Sequence, residues 1–350
     1  MTRTTRTSSD VRVVCLGGGH GLAASLAAAR RLTGRLTAVV TVADDGGSSG
    51  RIRRELGAVP PGDLRMALAA LAGDDEWGEL WSRVLQHRFG GTGALAGHPI
   101  GNLVITGLAE MFGGDTAQAL LVAGRLVGAV GRVLPMSQVP LEIAAEVAGI
   151  DDDPALVRRI RGQVAVATTP GQVRSVSLIP ADPPACPQAV AAIEQADFVV
   201  LGPGSWFTSV LPHLLVPGLA AALRRTRARR VVALNLAPQP GETDGFSPEQ
   251  HLRVLAEHSP GWRVDAVVAD LDAVVAPRGL ISAVASLGAD LVLEPVAAGD
   301  GTPRHDPTRL AKAFARVFNG DALHGRQADG DDADGQGRAV PGHYQQDLLP

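Results

Sequence analysis

A short apolar run, Val11–Leu16, breaks into Gly17-Gly18-Gly19-His20-Gly21, continues through the Ala/Leu-rich stretch Leu22–Arg31, and reaches a second apolar run at Leu36–Val42. Such runs read as strands buried on both faces, and the stretch between them as a helix. The unit is therefore strand, glycine turn, helix, strand, the βαβ opening of a parallel sheet. This one feature constrains the chain to the α/β class, with a Rossmann-like, mostly parallel sheet.

The 350 residues suffice for a large core, and 45% hydrophobic with 19% charged residues is an ordinary globular balance. A formal net charge of −4 and the absence of a basic stretch with interleaved aromatics argue against nucleic acid as a partner. Cys15 and Cys186 are too few for a disulfide framework or a structural zinc site, which points to a reducing cytoplasm. Lys312, the only lysine, follows no glycine-rich loop, so a Walker A loop and most Schiff-base mechanisms lack a residue. Residues 11–29 are not read as a signal peptide, because Gly17 to Gly21 interrupt the apolar stretch. The uncharged run Phe198–Leu223 is long enough to span a bilayer, but Pro203, Gly204, Ser205, Pro212 and Pro217 break it, so a strand, a turn and a helix are expected and no membrane span.

Residues 1–10 and 321–350 read as disordered tails flanking one domain over 11–320. Within it, about 63–126 is mostly helical and reads as an insertion over the sheet edge, with Asp63 as a candidate cap for Leu64–Ala72. Residues 133–179 alternate like strands of a small antiparallel β-rich patch, including Leu141–Val147 and Val173–Ile179. A second α/β run follows: helix 188–196, strand Asp197–Leu201, a Gly202-Pro203-Gly204-Ser205 loop with a helix after it, and strand Val231–Leu236. Ser247-Pro248-Glu249-Gln250 predicts a capped helix to about His258, and Asp306-Pro307 opens the last helix, ending near Phe318. Val264–Val268 and Leu291–Leu293 add strands.

The candidate chemistry lies in loops. Gly18, Gly19, His20 and Gly21 stand between a strand and a helix, where backbone amides approach a phosphate. Gly19-x-Gly21-x-x-Ala24, with Asp44 and Asp45 ending the second strand, also fits a dinucleotide site, which keeps an NAD-binding oxidoreductase as an alternative. Ala43–Arg51 reads as one loop in which Asp44 and Asp45 could ligate Mg²⁺ or orient a hydroxyl, while Ser48, Ser49 and Arg51 bind phosphate oxygens. A solvated turn is the plainer reading of that segment. Asp63 and Arg65 sit at a helix start, as do His98 and Asn102, and each pair reads equally as a cap or a ligand contact. Gly202, Gly204 and Ser205 form a second candidate phosphate turn, Asn235 and Thr243 follow a later strand, and Arg304 is a candidate anion binder. Polar loops at the carboxyl ends of strands converge on one crevice in such sheets.

Taken in order, GGGHGLAASL, VTVADDGGSSGRIRRELG, PPGDLR, LAGHPIGNL, GRVLP, LGPGSWFTSVLPHLLVPG, NLAPQPGETDGF and RHDP resemble the YvcK-type gluconeogenesis factors of the CofD-like superfamily over roughly 11–318. The resemblance implies a CofD-like fold and a cytoplasmic protein that binds a UDP-sugar such as UDP-N-acetylglucosamine or UDP-glucose. It also implies roles in growth on gluconeogenic carbon and in cell shape and envelope synthesis, with no required cofactor. A protein partner in envelope synthesis and a homodimer stay open. The related transferase branch moves a phospholactyl group onto a deazaflavin and shares acids at positions like Asp44, Asp45 and Asp63, which would be the catalytic residues if this chain is an enzyme. The loops here are closer to the gluconeogenesis-factor branch. Two departures stand out: His20 where the family usually carries Thr, and Met66 where Asn is usual.

Overall fold

The structure is a computed structural model that describes residues 10–151, 153 and 156–320. The tails read from the sequence lie outside the described residues, apart from Asp10.

The opening unit forms as its pattern dictates: β1 (Val13–Gly17), α1 (Gly19–Ala29) and β2 (Leu36–Val40). Every residue of both strands is buried, which is why neither alternates polar with apolar. The chain then crosses through α2 (Gly47–Leu56), α3 (Gly62–Leu71), α4 (Glu76–Gln86), α5 (Ile100–Met111) and α6 (Thr116–Leu126) to β3 (Arg132–Pro135). A three-stranded antiparallel sheet follows, made of β4 (Glu142–Ala148), β5 (Val157–Arg161) and β6 (Gln172–Ile179) in the order β5-β4-β6, with α7 (Gln163–Ala167) between β5 and β6.

After α8 (Pro187–Gln195) the chain returns to the centre of the large sheet as β7 (Phe198–Leu201). A single π turn, Trp206–Val210, leads into α9 (Pro212–Leu215), α10 (Pro217–Arg225) and β8 (Arg229–Ala233). Next come α11 (Pro248–His258), β9 (Ala266–Asp270), α12 (Pro277–Ser286), β10 (Asp290–Glu294) and α13 (Pro307–Asn319). The seven-stranded sheet is parallel throughout, in the order β10-β9-β8-β7-β1-β2-β3.

From β1 the chain builds outward to β2 and β3, and from β7 it builds outward in the opposite direction. The strand order therefore reverses between β1 and β7, and the loops leaving these two strands part to leave a crevice. Right-handed crossovers running in opposite directions cover opposite faces of the sheet. On one face α1 packs beside α3 and α13; on the other α10 packs beside α8.

Three local expectations are corrected. Ala43–Arg51 is not one loop, since α2 begins at Gly47 and carries Ser48, Ser49 and Arg51 in its first turns. Asp63 does not cap α3; the helix starts at Gly62 after Pro61 with no side-chain cap, leaving the carboxylate to other partners. Residues 132–135 belong to the main sheet, pairing with β2, and not to the small patch. The helical stretch α3–α6 joins β2 to the edge strand β3, and α3 packs on both of these strands. By contrast, Ser247 and Gln250 form the expected capping box, and Asp306 caps α13 through the amides of Thr308 and Arg309. Among the described residues no single helix is long and apolar enough to cross a membrane, and the helical pair within the uncharged run bends by 76° at its break.

Candidate functional site

At the reversal point the glycines stand where a side chain has no room. A Cβ on Gly21 would run into the Pro203 carbonyl and the Gly204 Cα, and one on Gly18 would overlap the Asp63 carboxylate and the Thr41 methyl. Ser25 Oγ donates to the Gly202 carbonyl at 2.7 Å, which pins α1 to the turn after β7. Gly19 takes φ +57°, a conformation that favours glycine, at the first residue of α1. Gly18 has no side chain with which to cap α1, and the first-turn amides of His20 and Gly21 lack intrahelical partners at the positive end of the helix. Both residues line a cavity of about 340 Å³ shared with Gly204, Asn235 and Arg304.

The second candidate phosphate turn is satisfied from within. Gly204 N–H donates to Asn235 Oδ1 at 2.9 Å, and Asn235 Nδ2 returns a bond to the Gly204 carbonyl at 2.9 Å. Ser205 Oγ donates to Glu242 Oε1 at 2.5 Å, Thr208 Oγ1 donates to the same oxygen at 3.0 Å, and Phe207 N–H donates to Glu242 Oε2 at 3.3 Å. The buried Glu242 carboxylate thus stands where an anion would, at the start of the π turn. Burial raises its pKa against the pull of these donors. Thr243 is fully buried and accepts Gln239 N–H at 2.8 Å, which folds its own loop.

Across β1, the end of β2 gathers side chains. Asp63 lies beside Asp44 and accepts a bond from the Gly19 amide. Burial first, and the Asp44 charge second, push the Asp63 pKa from 3.8 up to about 7, against the Gly19 amide and the Arg65 charge. Asp44 Oδ1 accepts Gly46 N–H at 2.9 Å, and Ser49 Oγ accepts Gly62 N–H at 3.0 Å. Burial and the Arg88 charge lower the Arg65 pKa, and its guanidinium is bonded to Gln86 Oε1.

Ser48, His98 and Asn102 form a buried triad of hydrogen-bonding groups. Asn102 Nδ2 donates to Ser48 Oγ at 2.9 Å, so the Ser48 hydroxyl proton is free to donate to His98 Nδ1 at 2.7 Å. That assignment puts the imidazole proton on Nε2. Burial, then Arg51, holds the His98 pKa below 6.5 and keeps the ring neutral at pH 7. Asn102 Oδ1 is buried without a partner among the described residues.

Asp45 turns away from this group. Its Oδ1 accepts Val164 N–H at 3.0 Å at the start of α7, and a Cβ on Gly162 would overlap its other oxygen. The adjacent acids therefore diverge, and the crevice pair is Asp44 with Asp63. Among the described residues no cluster of three or more His, Cys, Asp and Glu side chains could hold a metal ion. Arg51 donates to the carbonyls of Ala94 and Ala96, at 3.4 and 2.7 Å, and holds the loop that delivers His98. Arg304 reaches the cavity rim, but its side chain is exposed and bonded to Asp300 at 2.5 Å and to Thr302 at 2.9 Å.

Sequence reasoning did not single out Glu242, Gln239 or His305. Glu242 and Gln239 lie in the polar loop after β8, where no hydrophobic period marks which side chain turns inward. His305 is largely buried beside the cavity and bonds the Leu234 backbone; burial lowers its pKa. A second cavity, about 250 Å³, lies between α6 and β3 and contains none of the candidate residues.

The sequence profile of the CofD family, described as 2-phospho-L-lactate transferase CofD, matches residues 13–289. A Mycobacterium tuberculosis protein named "Putative gluconeogenesis factor" is 61% identical over 308 residues, covering 87% of this chain and 90% of its own. A "Gluconeogenesis factor" from Halalkalibacterium halodurans is 38% identical over 256 residues, covering 73% of this chain and 76% of its own. A crystal structure described as a member of the UPF0052 family from Bacillus halodurans superposes with a TM-score of 0.78 at 32% identity, covering 87% of this chain and 98% of that one.

Proposed function

The chain belongs to the CofD family, and on that premise we propose that it is a cytoplasmic UDP-sugar-binding regulator that supports growth on gluconeogenic carbon and cell shape and envelope synthesis. The observation that carries the proposal is the N-terminus of α1 at the reversal point, whose residues His20 and Gly21 line the 340 Å³ cavity. Free amides and a helix dipole at that place suit a diphosphate. Asp44 and Asp63, with Ser48 and Asn102 behind them, supply acceptors and donors of the kind sugar hydroxyls need. The names of the relatives support the gluconeogenic role. Regulation follows if the ligand favours one arrangement of the α2–α6 segment, which carries the Asp63 and His98 side of the crevice.

Calorimetric titration with UDP-N-acetylglucosamine, UDP-glucose, GDP and NAD, with and without Mg²⁺, tests this against an Asp44→Ala variant. UDP-sugar binding that is weakened in the variant and not followed by turnover supports a metabolite sensor. Preference for NAD, or no nucleotide binding, overturns it.

A second reading, a transferase of phosphorus-containing groups, is favoured by the CofD profile match and by Asp63. A carboxyl with a pKa of about 7 beside the diphosphate position could accept a proton from an attacking hydroxyl. Its test is product formation from a nucleotide-activated phospholactyl donor and a deazaflavin acceptor, abolished in Asp63→Asn.

A further inference from the structure

Far along the sheet from the crevice, β3 forms an edge that pairs with β2 alone, and α6 packs against it in place of a further strand. The cavity of about 250 Å³ between the two is walled by Leu68 of α3, Leu120, Val133 and Leu134, all buried, with the exposed Leu121 also lining it. Gly124 explains why the space is there. It lies inside α6, where glycine is a poor helix former, and a Cβ on it would stand 3.8 Å from Leu68 Cδ2 and 3.8 Å from Ala129 Cβ, an ordinary contact distance. Neither crowding nor a left-handed backbone requires glycine at this position. What the missing side chain does is keep the hollow open.

The polar groups around this hollow favour one sign of charge. Arg125, in the last turn of α6, and Arg132, at the start of β3, both line it, and neither side chain has a hydrogen bond or an ion pair with the described residues. Gln188 of α8 takes the Cys186 thiol proton on Oε1 at 3.2 Å, which leaves its Nε2 as a donor. Among the described residues no carboxylate lines the cavity. Two unpaired guanidinium groups beside a buried apolar wall match a ligand with an anionic head and an apolar body. A cavity of about 150 Å³ already admits benzene, so this one has room for a ring with a short chain.

We propose that the α6–β3 cavity is a second ligand site, which takes a small apolar molecule bearing one anionic group, a carboxylate or a phosphate monoester, held by Arg125 and Arg132. None of its lining residues lines the cavity at α1, so the site is separate from the nucleotide-sugar reading and stands or falls without it. Arg125→Gln and Arg132→Gln remove the charges and keep the hollow. Gly124→Leu fills the hollow and keeps the charges.

The test is calorimetry on the full chain with 3-phenylpropionate and phenyl phosphate as probes, 3-phenylpropanol as the uncharged counterpart, and acetate as the charge without the body. At least one of the two aromatic anions is expected to bind about tenfold more tightly than 3-phenylpropanol, and acetate to show no saturable binding. Each arginine variant is expected to weaken that anion about tenfold and to leave 3-phenylpropanol unchanged, and Gly124→Leu to abolish the binding of both. Circular dichroism and melting check the fold of every variant, and if Gly124→Leu does not fold the two arginine variants decide. The anion that binds more tightly identifies the head group and supports the site. Anions that bind no more tightly than 3-phenylpropanol, anion binding that neither arginine variant weakens, or no binding of any probe at millimolar concentration overturns the proposal. Wild type that sediments as a dimer, with Arg132→Gln or Gly124→Leu as a monomer, would show that a second copy of the chain fills the groove, and the proposal falls.

Discussion

The two flanks of the crevice are built from different materials. On the β1–β7 flank, contact is backbone on backbone, with Gly21 against Pro203 and Gly204. On the β2 flank, contact is side chain on side chain, with Ser48, Asp63 and Asn102 delivered by three helices. The first flank is a steric fit and carries no titratable group at its point of closest approach. The second is electrostatic, with a carboxyl and an imidazole both displaced from their ordinary pKa. The difference implies that the β1–β7 flank fails by collision at any pH, and the β2 flank responds to protonation.

The largest effect is expected at Gly21. In Gly21→Val the new side chain meets main-chain atoms that cannot swing aside, so the loss should be about 3 kcal/mol or more. Gly34→Ala is the control, since a Cβ there has nothing within 4 Å and should change stability by less than about 0.5 kcal/mol. Denaturant midpoints at pH 5 and pH 8 measure both. A Gly21→Val loss that varies strongly between the two pH values would break the contrast between the flanks.

Next in size is Asp63→Asn. The folded-state pKa of Asp63 is raised, so between 3.8 and about 7 the folded chain holds a proton that the unfolded chain has released. Stability from this group is complete below pH 3.8, declines through that window, and is gone above about 7. Asn is neutral throughout, so the variant should be more stable than wild type at pH 8, by roughly 2 kcal/mol after allowing for partial exposure of the site. Near pH 4 the two should differ little. Equal stability of the two proteins at pH 8 would show that Asp63 is not strained by its surroundings.

How far these features were legible in the sequence follows the same division. The apolar runs of β1 and β2 and the glycines between them declare themselves, because burial on both faces and close backbone approach each leave a local residue pattern. The capping box at Ser247 and the cap at Asp306 are equally local. β3 is not legible as a strand of the main sheet because Arg132–Pro135 is four residues with no alternation to show its partner. The start of α2 looks like loop in sequence because Gly47-Ser48-Ser49-Gly50 are weak helix formers, and the helix is held instead by burial of Ser48, Ser49, Gly50 and Ile52. In the site, adjacency suggested Asp44 with Asp45, whereas the fold pairs Asp44 with Asp63 and spends Asp45 on α7. No local pattern encodes such a pairing. Glu242 is another case: its inward turn depends on Ser205, Phe207 and Thr208, 34 to 37 residues away.

The smallest effect separates a network from a set of independent bonds on the β2 flank. Ser48 is 6% exposed and Asn102 1%, so Ser48→Ala strands both the Asn102 amide and His98 Nδ1, at a cost of about 1–2 kcal/mol. Asn102→Ala removes one donor to Ser48 and should cost about 1 kcal/mol. If Asn102 orients the Ser48 hydroxyl toward His98, the double variant will cost less than the sum by about 0.5 kcal/mol or more. The same cycle at a lower pH sharpens the point, because His98 is held neutral by burial and Arg51 and loses its role as acceptor when it is protonated. The coupling should shrink on acidification, as the ring proton on Nδ1 displaces the bond from Ser48. Strict additivity at both pH values would mean that the three groups pack together without acting together, and the β2 flank would then be as indifferent to pH as the glycine flank opposite.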